Sequence, residues 1–373
     1  MEDLDALPLI DHHCHGLVRE DVDRAGFEGM LTEGSGAGPR GGTLFDSRIG
    51  FAVRRWCAPV LDLPAHAPPG DYLERRAELG HAEVAARFLR AARLAALCVD
   101  TGPSGPMLTP PELADLAEAP AFEVVRLEDL AEEVAGEGTT AAGFPDAFRE
   151  RLAARAGDAV GFKSIAAYRF GLEFREGRPD DTEVERAAGR WLASGDGAGP
   201  PQLADETLHR FLVWCAADHG KPIQFHVAYG DTDLDLHRAN PLLLTGLLRE
   251  LEPTGTPVML LHNYPYHREA GYLAQVFTHV FVDVGLAVHN SGERARALIE
   301  EVLELTPFGK FLYSSDGYGL PELYFLDATL FRRAVGALLR DGVEDGTWTD
   351  ADAGRLAEMF TAGNARRAYR LDV

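Results

Sequence analysis

Leu7-Pro8-Leu9-Ile10-Asp11-His12-His13-Cys14-His15 opens on an apolar run and closes on a histidine pair. The run Leu7–Asp11 has the length and apolar character of a buried parallel strand. On extended chain, residues two apart share a face, so His13 and His15 project together while Cys14 turns away. Two imidazoles side by side at a strand end form half of a metal site. For an isolated H-x-H the plainer alternative is a surface pair, and its place at the end of a strand favours the site.

Seven further runs of this kind follow: Ala95–Asp100, Phe122–Arg126, Val160–Tyr168, Pro222–Val227, Pro257–His262, Val280–Gly285 and Phe311–Ser315. Helical patterns separate most of them, as at Ala82–Arg93, Asp205–Ala217, Pro241–Leu251 and Arg294–Leu305. Strands alternating with helices eight times over predict an α/β protein, a single (β/α)8 TIM barrel across residues 1–373. One excursion breaks the rhythm, a long helical insertion after the first strand at about residues 17–93. It holds a Gly-rich piece (Gly34–Gly42), a Pro-rich piece (Pro64–Gly70) and helical patterns at Phe51–Trp56 and Tyr72–Arg93. Because it leaves from the end of a barrel strand, it reads equally as a lid, with Arg55 and Trp56 as lid residues, or as structural packing. Ser194–Gln202 reads as a surface loop.

The 373 residues are 46% hydrophobic and 25% charged, ordinary values for a globular chain. Lys and Arg number 36 against 59 Asp and Glu, a net charge of −23. That balance excludes a nucleic-acid backbone or an anionic membrane as the main partner. A small-molecule substrate is the partner expected, and a homo-oligomer is left open. No apolar run approaches the ~20 residues that span a bilayer. The start, MEDLDALPLI, lacks the basic region of a secretory signal. Cys14, Cys57, Cys98 and Cys215 are widely spaced with no C-x-x-C pair, as in reduced thiols. A cytoplasmic protein is expected.

Three more residues stand where catalytic groups of a barrel stand. His226 closes Ile-Gln-Phe-His-Val, His262 closes Met-Leu-Leu-His, and Asp316 follows Tyr-Ser-Ser. Singly, each histidine has a bland reading as a hydrogen bond to a loop carbonyl, and the aspartate as a helix cap. Together, at the first, fifth, sixth and eighth strand ends, they converge on one barrel mouth. Lys163 lies inside the fourth run, where a charge must be paired or used. Three readings stand: a carbamylated bridge between two metals, a cation for a substrate carboxylate, or a buried partner of Asp100 or Asp283. Period two places Lys163 and Arg169 on one face. Tyr168 and Arg169 end that run as substrate-binding candidates, a salt bridge being the alternative for Arg169. Asp231, Asp233 and Asp235 alternate as in a calcium loop but lack its closing glutamate, so a polar loop at the barrel mouth is expected.

The set His13, His15, His226, His262 and Asp316 resembles the amidohydrolase superfamily. Gly161-Phe-Lys-Ser-Ile-Ala-Ala-Tyr-Arg169, Ile223-Gln-Phe-His-Val, Asp231-Thr-Asp-Leu-Asp-Leu236, Arg238-Ala-Asn-Pro241 and Tyr264-Pro-Tyr-His-Arg-Glu-Ala270 narrow the resemblance. With Tyr313-Ser-Ser-Asp316 and Asn364-Ala-Arg-Arg-Ala-Tyr-Arg-Leu371, they resemble the amidohydrolase-2 branch over nearly the whole chain. The barrel found alone or fused to glutamine-synthetase-like domains is the nearest likeness. This resemblance implies one divalent metal bound by His13, His15 and His226. Asp316 would be a further ligand or the proton acceptor for the attacking water. His262 would stabilise a developing oxyanion or do acid–base work. Imidazoles and a carboxylate suit Zn²⁺ first, with Mn²⁺ or Fe²⁺ also compatible. The activity implied is that of a metal-dependent hydrolase cleaving a C–N (amide) bond of a small carboxylate-bearing substrate, γ-glutamyl amides being the analogy. Two alternatives stay open: a metal-dependent non-oxidative decarboxylase on the same site, and a non-catalytic metal-binding barrel.

Overall fold

The computed structural model describes residues 7–35, 41–102, 106–195 and 201–373. Parts of the Gly34–Gly42 and Ser194–Gln202 pieces lie outside the described residues. Seven strands pair in parallel in chain order: β1 (Leu9–Cys14), β2 (Leu94–Asp100), β3 (Ala121–Arg126), β4 (Gly161–Ser164), β5 (Ile223–Val227), β6 (Val258–His262) and β7 (Val280–Val282). Helices separate them, so most strand positions are covered on both faces, which is why they read as continuous apolar runs rather than alternating ones.

Residues 311–316, where an eighth strand is expected, run extended between the two edges of this sheet. Leu312 N donates to Val282 O at 3.0 Å, while His12 N donates to Tyr313 O at 3.2 Å and Asp316 N to His13 O at 3.0 Å. One segment therefore bonds to β7 on one side and to β1 on the other, giving a TIM-barrel-like ring. Its pairing is irregular, with one parallel bridge between Val282 and Phe311. The cause is local. Ser315 donates its N–H and its hydroxyl to the side chain of Asp11 instead of to a strand, and Asp316 takes a left-handed φ of 50°.

Two apolar layers hold the ring. Ile10, Ala96, Cys98, Val124, Met259, Leu261 and Leu312 come from many strands yet form one cluster, which alternation allows only inside the ring. Ala362, Ala365, Ala368 and Tyr369 plug that interior from the C-terminal end of the chain. The larger cluster lies between the strands and the surrounding helices.

Between β1 and β2 the chain forms the helices Arg24–Gly29, Arg48–Ala52, Pro69–Leu79 and His81–Ala92. Phe27 stacks on Phe45 at 5.6 Å and tilts against Tyr72 at 5.8 Å. Buried Glu28 accepts from Leu44 N and from the Thr43 hydroxyl, and Arg76 pairs with buried Glu322 at 2.8 Å. The Arg76–Glu322 pair ties the excursion to the long helix Pro321–Glu344.

The fourth strand is shorter than expected. Ser164 Oγ donates to Glu128 and accepts from Ala166 N, while Ile165 N also donates to Glu128. With Ser164 and Ile165 held on Glu128, the chain passes into the helical turn Ala166–Arg169, so Tyr168 and Arg169 leave the strand and the shared face of Lys163 and Arg169 does not form. Among the described residues, no helix is long and apolar enough to cross a membrane.

Candidate metal centre

His13 and His15 both aim at Asp316. His13 Nε2 lies 3.0 Å and His15 Nε2 3.3 Å from Asp316 Oδ1. The tautomers follow from the partners. Gln224 spends its amide N–H groups on His12 O (2.7 Å) and the Tyr369 hydroxyl (2.8 Å). Gln224 Oε1, 2.8 Å from His13 Nδ1, is thus an acceptor, and His13 carries its proton on Nδ1. His15 Nδ1 faces the carbonyl of Asp100 at 3.2 Å, which sets the same tautomer. Two imidazole lone pairs therefore meet a carboxylate oxygen that has no hydrogen-bond donor. Acceptors converge on acceptors, an arrangement that calls for a cation.

His262 Nδ1 sits 3.5 Å from Asp316 Oδ2, and its ring lies 4.6 Å from that of His226. Among the described residues neither His226 Nε2 nor His262 Nδ1 has a hydrogen-bond partner, although both residues are buried. The three donors whose atoms all lie within 4.8 Å of one another are those of His13, His15 and Asp316; His226 stands one ring further out. The set fits a divalent ion.

Protonation agrees with that fit. Burial, with Lys163 beside it, pushes His13 down to about 4. Burial likewise drives His226 and His262 well below the usual imidazole range. Neutral imidazoles and an ionised carboxylate are the forms a metal takes.

Backbone strain is stored here as well. His262 has φ 67° and Asn263 φ 59°. Asp283 holds that turn, accepting from His262 N at 2.7 Å and from Gly285 N at 3.1 Å. Its other oxygen takes His12 Nε2 at 2.8 Å, and His12 Nδ1 reaches Tyr369 at 3.0 Å. One network thus runs from Asp283 through His12, Tyr369 and Gln224 to His13.

Lys163, 1% exposed in β4, lies with Nζ 3.3 Å from His13 Nε2. Burial pushes its ammonium down to about 8 against the pull of Asp100 and Asp316. Asp100 is paired to Arg126 at 2.6 Å, so Lys163 is not its direct salt-bridge partner. A cavity of about 790 Å³ opens over these groups, a usual size for a small-molecule site. Arg126, Lys163, Tyr168, Arg169 and the stretch from Gly29 to Gly34 line it. Tyr168 lies 4.5 Å from the His226 ring and its hydroxyl meets Asp231 N at 3.4 Å; Arg169 Nε is buried without a partner. Asp231 and Asp233 line the mouth in a turn closed by Asp233 N on Asp231 Oδ1.

Arg55 and Trp56 are not at this cavity. They line a separate depression of about 390 Å³, where the guanidinium groups of Arg55 and Arg333 each lie 4.5 Å from the Trp56 ring. The sequence reading missed Gln224, Asp283, His12 and Asp11 as positioning groups, and Glu33 and His289 as cavity walls. Gln224 and Asp283 carried a signal, since each is a polar residue inside an apolar strand run.

Fold and site together define a metal-dependent enzyme of the amidohydrolase type. The amidohydrolase sequence profile matches residues 10–371, and the chain belongs to that family. Protein fluG of Emericella nidulans is 33% identical over 224 residues, which are 57% of this chain and 26% of that protein; the match spans about a quarter of that relative. A protein of Lactobacillus casei described as a metal-dependent hydrolase superposes with a TM-score of 0.84 at 29% identity, covering 98% of this chain and 96% of that one. A uronate isomerase from Thermotoga maritima superposes with a TM-score of 0.68 at 13% identity, over 99% and 96% of the two chains, and shares the fold.

Proposed function

We propose that this protein is a hydrolase that cleaves the C–N bond of an amide in a small carboxylate-bearing substrate. One observation carries the reading: two imidazole lone pairs and a carboxylate oxygen converge below a cavity lined by Lys163 and Arg169. His13, His15 and Asp316 would hold the ion, with His226 joining them. A divalent ion there supplies Lewis acidity and lowers the pKa of water to ~7, Zn²⁺ being first choice and Mn²⁺ or Fe²⁺ alternatives.

The rest is done by the chain. Asp316 Oδ2, on the side of His262, accepts a proton from the attacking water. The proton held by Asp316 passes to the departing amine, and His262 steadies the oxyanion. Lys163 and Arg169 orient the substrate carboxylate, and Tyr168 packs against His226 to close one wall. Four buried, unpaired cysteines suit a cytoplasmic location.

The experiment is to strip and reload the protein with Zn²⁺ or Mn²⁺ and assay amides of small dicarboxylic acids against unsaturated and aromatic acids. Metal-dependent amine release is expected. Release of CO₂ without amine would replace this reading by the decarboxylase, and a metal-loaded protein inert to both panels would favour a non-catalytic barrel.

A further inference from the structure

The cavity carries charge of both signs around Asp316. Lys163 interacts with Asp100, Asp316, Arg126 and Asp283, and the buried, unpartnered Nε of Arg169 lines the same cavity. Glu33 interacts instead with Asp316, His289 and Asp231. Lys163, Arg169 and Glu33 thus line one cavity together with Asp316.

Glu33 is also deliberately presented. It comes from the six-residue stretch Gly29–Gly34 that lines the mouth. Glu28, just before it, is locked by Leu44 N, Thr43 and Arg24, and Leu31 is buried. Met30 N bonds back to Gly26 O and Leu31 N to Glu28 O, fixing the exit of the chain. Glu33 itself makes no hydrogen bond or ion pair among the described residues. Burial, with Asp316 and Asp231 adding to it and His289 opposing, pushes its carboxyl up to about 7. A carboxylate held without a partner beside two others is relieved by a cation.

We propose that Glu33 receives a cationic group of the substrate, so that the molecule bound carries a carboxylate for Lys163 and Arg169 and an ammonium or guanidinium for Glu33. On the amide-hydrolase reading, on which this step rests, the substrate class is an amide that carries both an anionic and a cationic group.

Binding tests this without turnover. The probes are 4-aminobutanoate, 6-aminohexanoate and 8-aminooctanoate, each against the alkanoate of the same length, titrated calorimetrically into the metal-loaded protein. At least one amino acid should bind about 10–100-fold tighter than its alkanoate, the range of a charge-assisted contact. Glu33→Gln should erase that ratio, Glu33→Asp should keep part of it, and Glu33→Lys should invert it in favour of the alkanoate. Lys163→Met should weaken amino acid and alkanoate alike. No preference in any pair, or one that survives Glu33→Gln, overturns the proposal. So does a second metal equivalent that Glu33→Gln removes, because Glu33 would then be a ligand. A binding preference found without any amide hydrolysis would sink the hydrolase reading and leave this one standing.

Discussion

Gln224→Met is the sharpest test of how the metal centre is built. The substitution keeps the length and burial of the side chain but removes an acceptor from His13 Nδ1 and a donor from His12 O and Tyr369. Tyr369 retains its bond to His12, so two buried groups are orphaned, the His13 N–H and the His12 carbonyl. At about 1–3 kcal/mol for each buried group left unpaired, stability should fall by about 2–6 kcal/mol. A separate effect acts on the ion. Without Gln224 the His13 ring is free to turn or to move its proton to Nε2, and loss of such an orienting bond weakens metal binding about 10–100-fold, or about 1.4–2.7 kcal/mol. Competition with a chromophoric chelator reads the affinity, and thermal melts with and without Zn²⁺ read the stability. A variant that melts lower yet binds metal as tightly as wild type would refute the tautomer argument and leave Gln224 a packing residue.

Three more perturbations follow from the same geometry. His262→Asn should keep its metal, measured by elemental analysis, and lose about 10²–10⁴-fold in turnover; loss of the metal would make it a ligand. Lys163→Met should leave metal content at one ion per chain and raise KM for carboxylate-bearing amides by about 10–100-fold, with esterified analogues little changed; two ions in wild type with bicarbonate-dependent activity would establish the carbamylated bridge instead. Asp129, half-buried, is pushed up to about 7 by burial, with Arg126 opposing. A carboxyl whose folded value lies above its unfolded one loses stability as pH rises from about 4 through 7, so the melting temperature should drop between pH 5 and pH 8. Asp129→Asn should flatten that slope and add about 1–2 kcal/mol at pH 8, and an unchanged slope would show the carboxylate to be better solvated than its surroundings suggest.

The chain advertised what depends on local pattern. His226 and His262 close the strands Ile223–Val227 and Val258–His262 within a residue of where apolar runs stop, because a charged or polar ligand ends a buried run. The hidden parts depend on contacts remote in sequence. Lys163 and Arg169 were expected on one face because nothing in Ser-Ile-Ala-Ala-Tyr-Arg announces that Ser164 bonds to Glu128, thirty-six positions earlier, where the strand gives way to a helical turn. Residues 311–316 were read as an ordinary strand, since Asp11 as a surrogate partner for Ser315 is visible only once the ring closes. Glu33 escaped notice for a different reason: an unpaired glutamate in an irregular stretch looks like any solvated surface residue.

The seam between β1 and residues 311–316 has a consequence for how the centre comes into being. Asp11 and Ser315 are 304 positions apart, and Asp316 N bonds to His13 O across the same junction. The last join of the ring and the first three donors of the centre are therefore one construction, and neither can be finished alone. An ion gripped by His13, His15 and Asp316 would straddle that joint like a rivet, tying the start of the chain to a segment near its end. Removing the ion would therefore take away one of the ties that hold the two edges together.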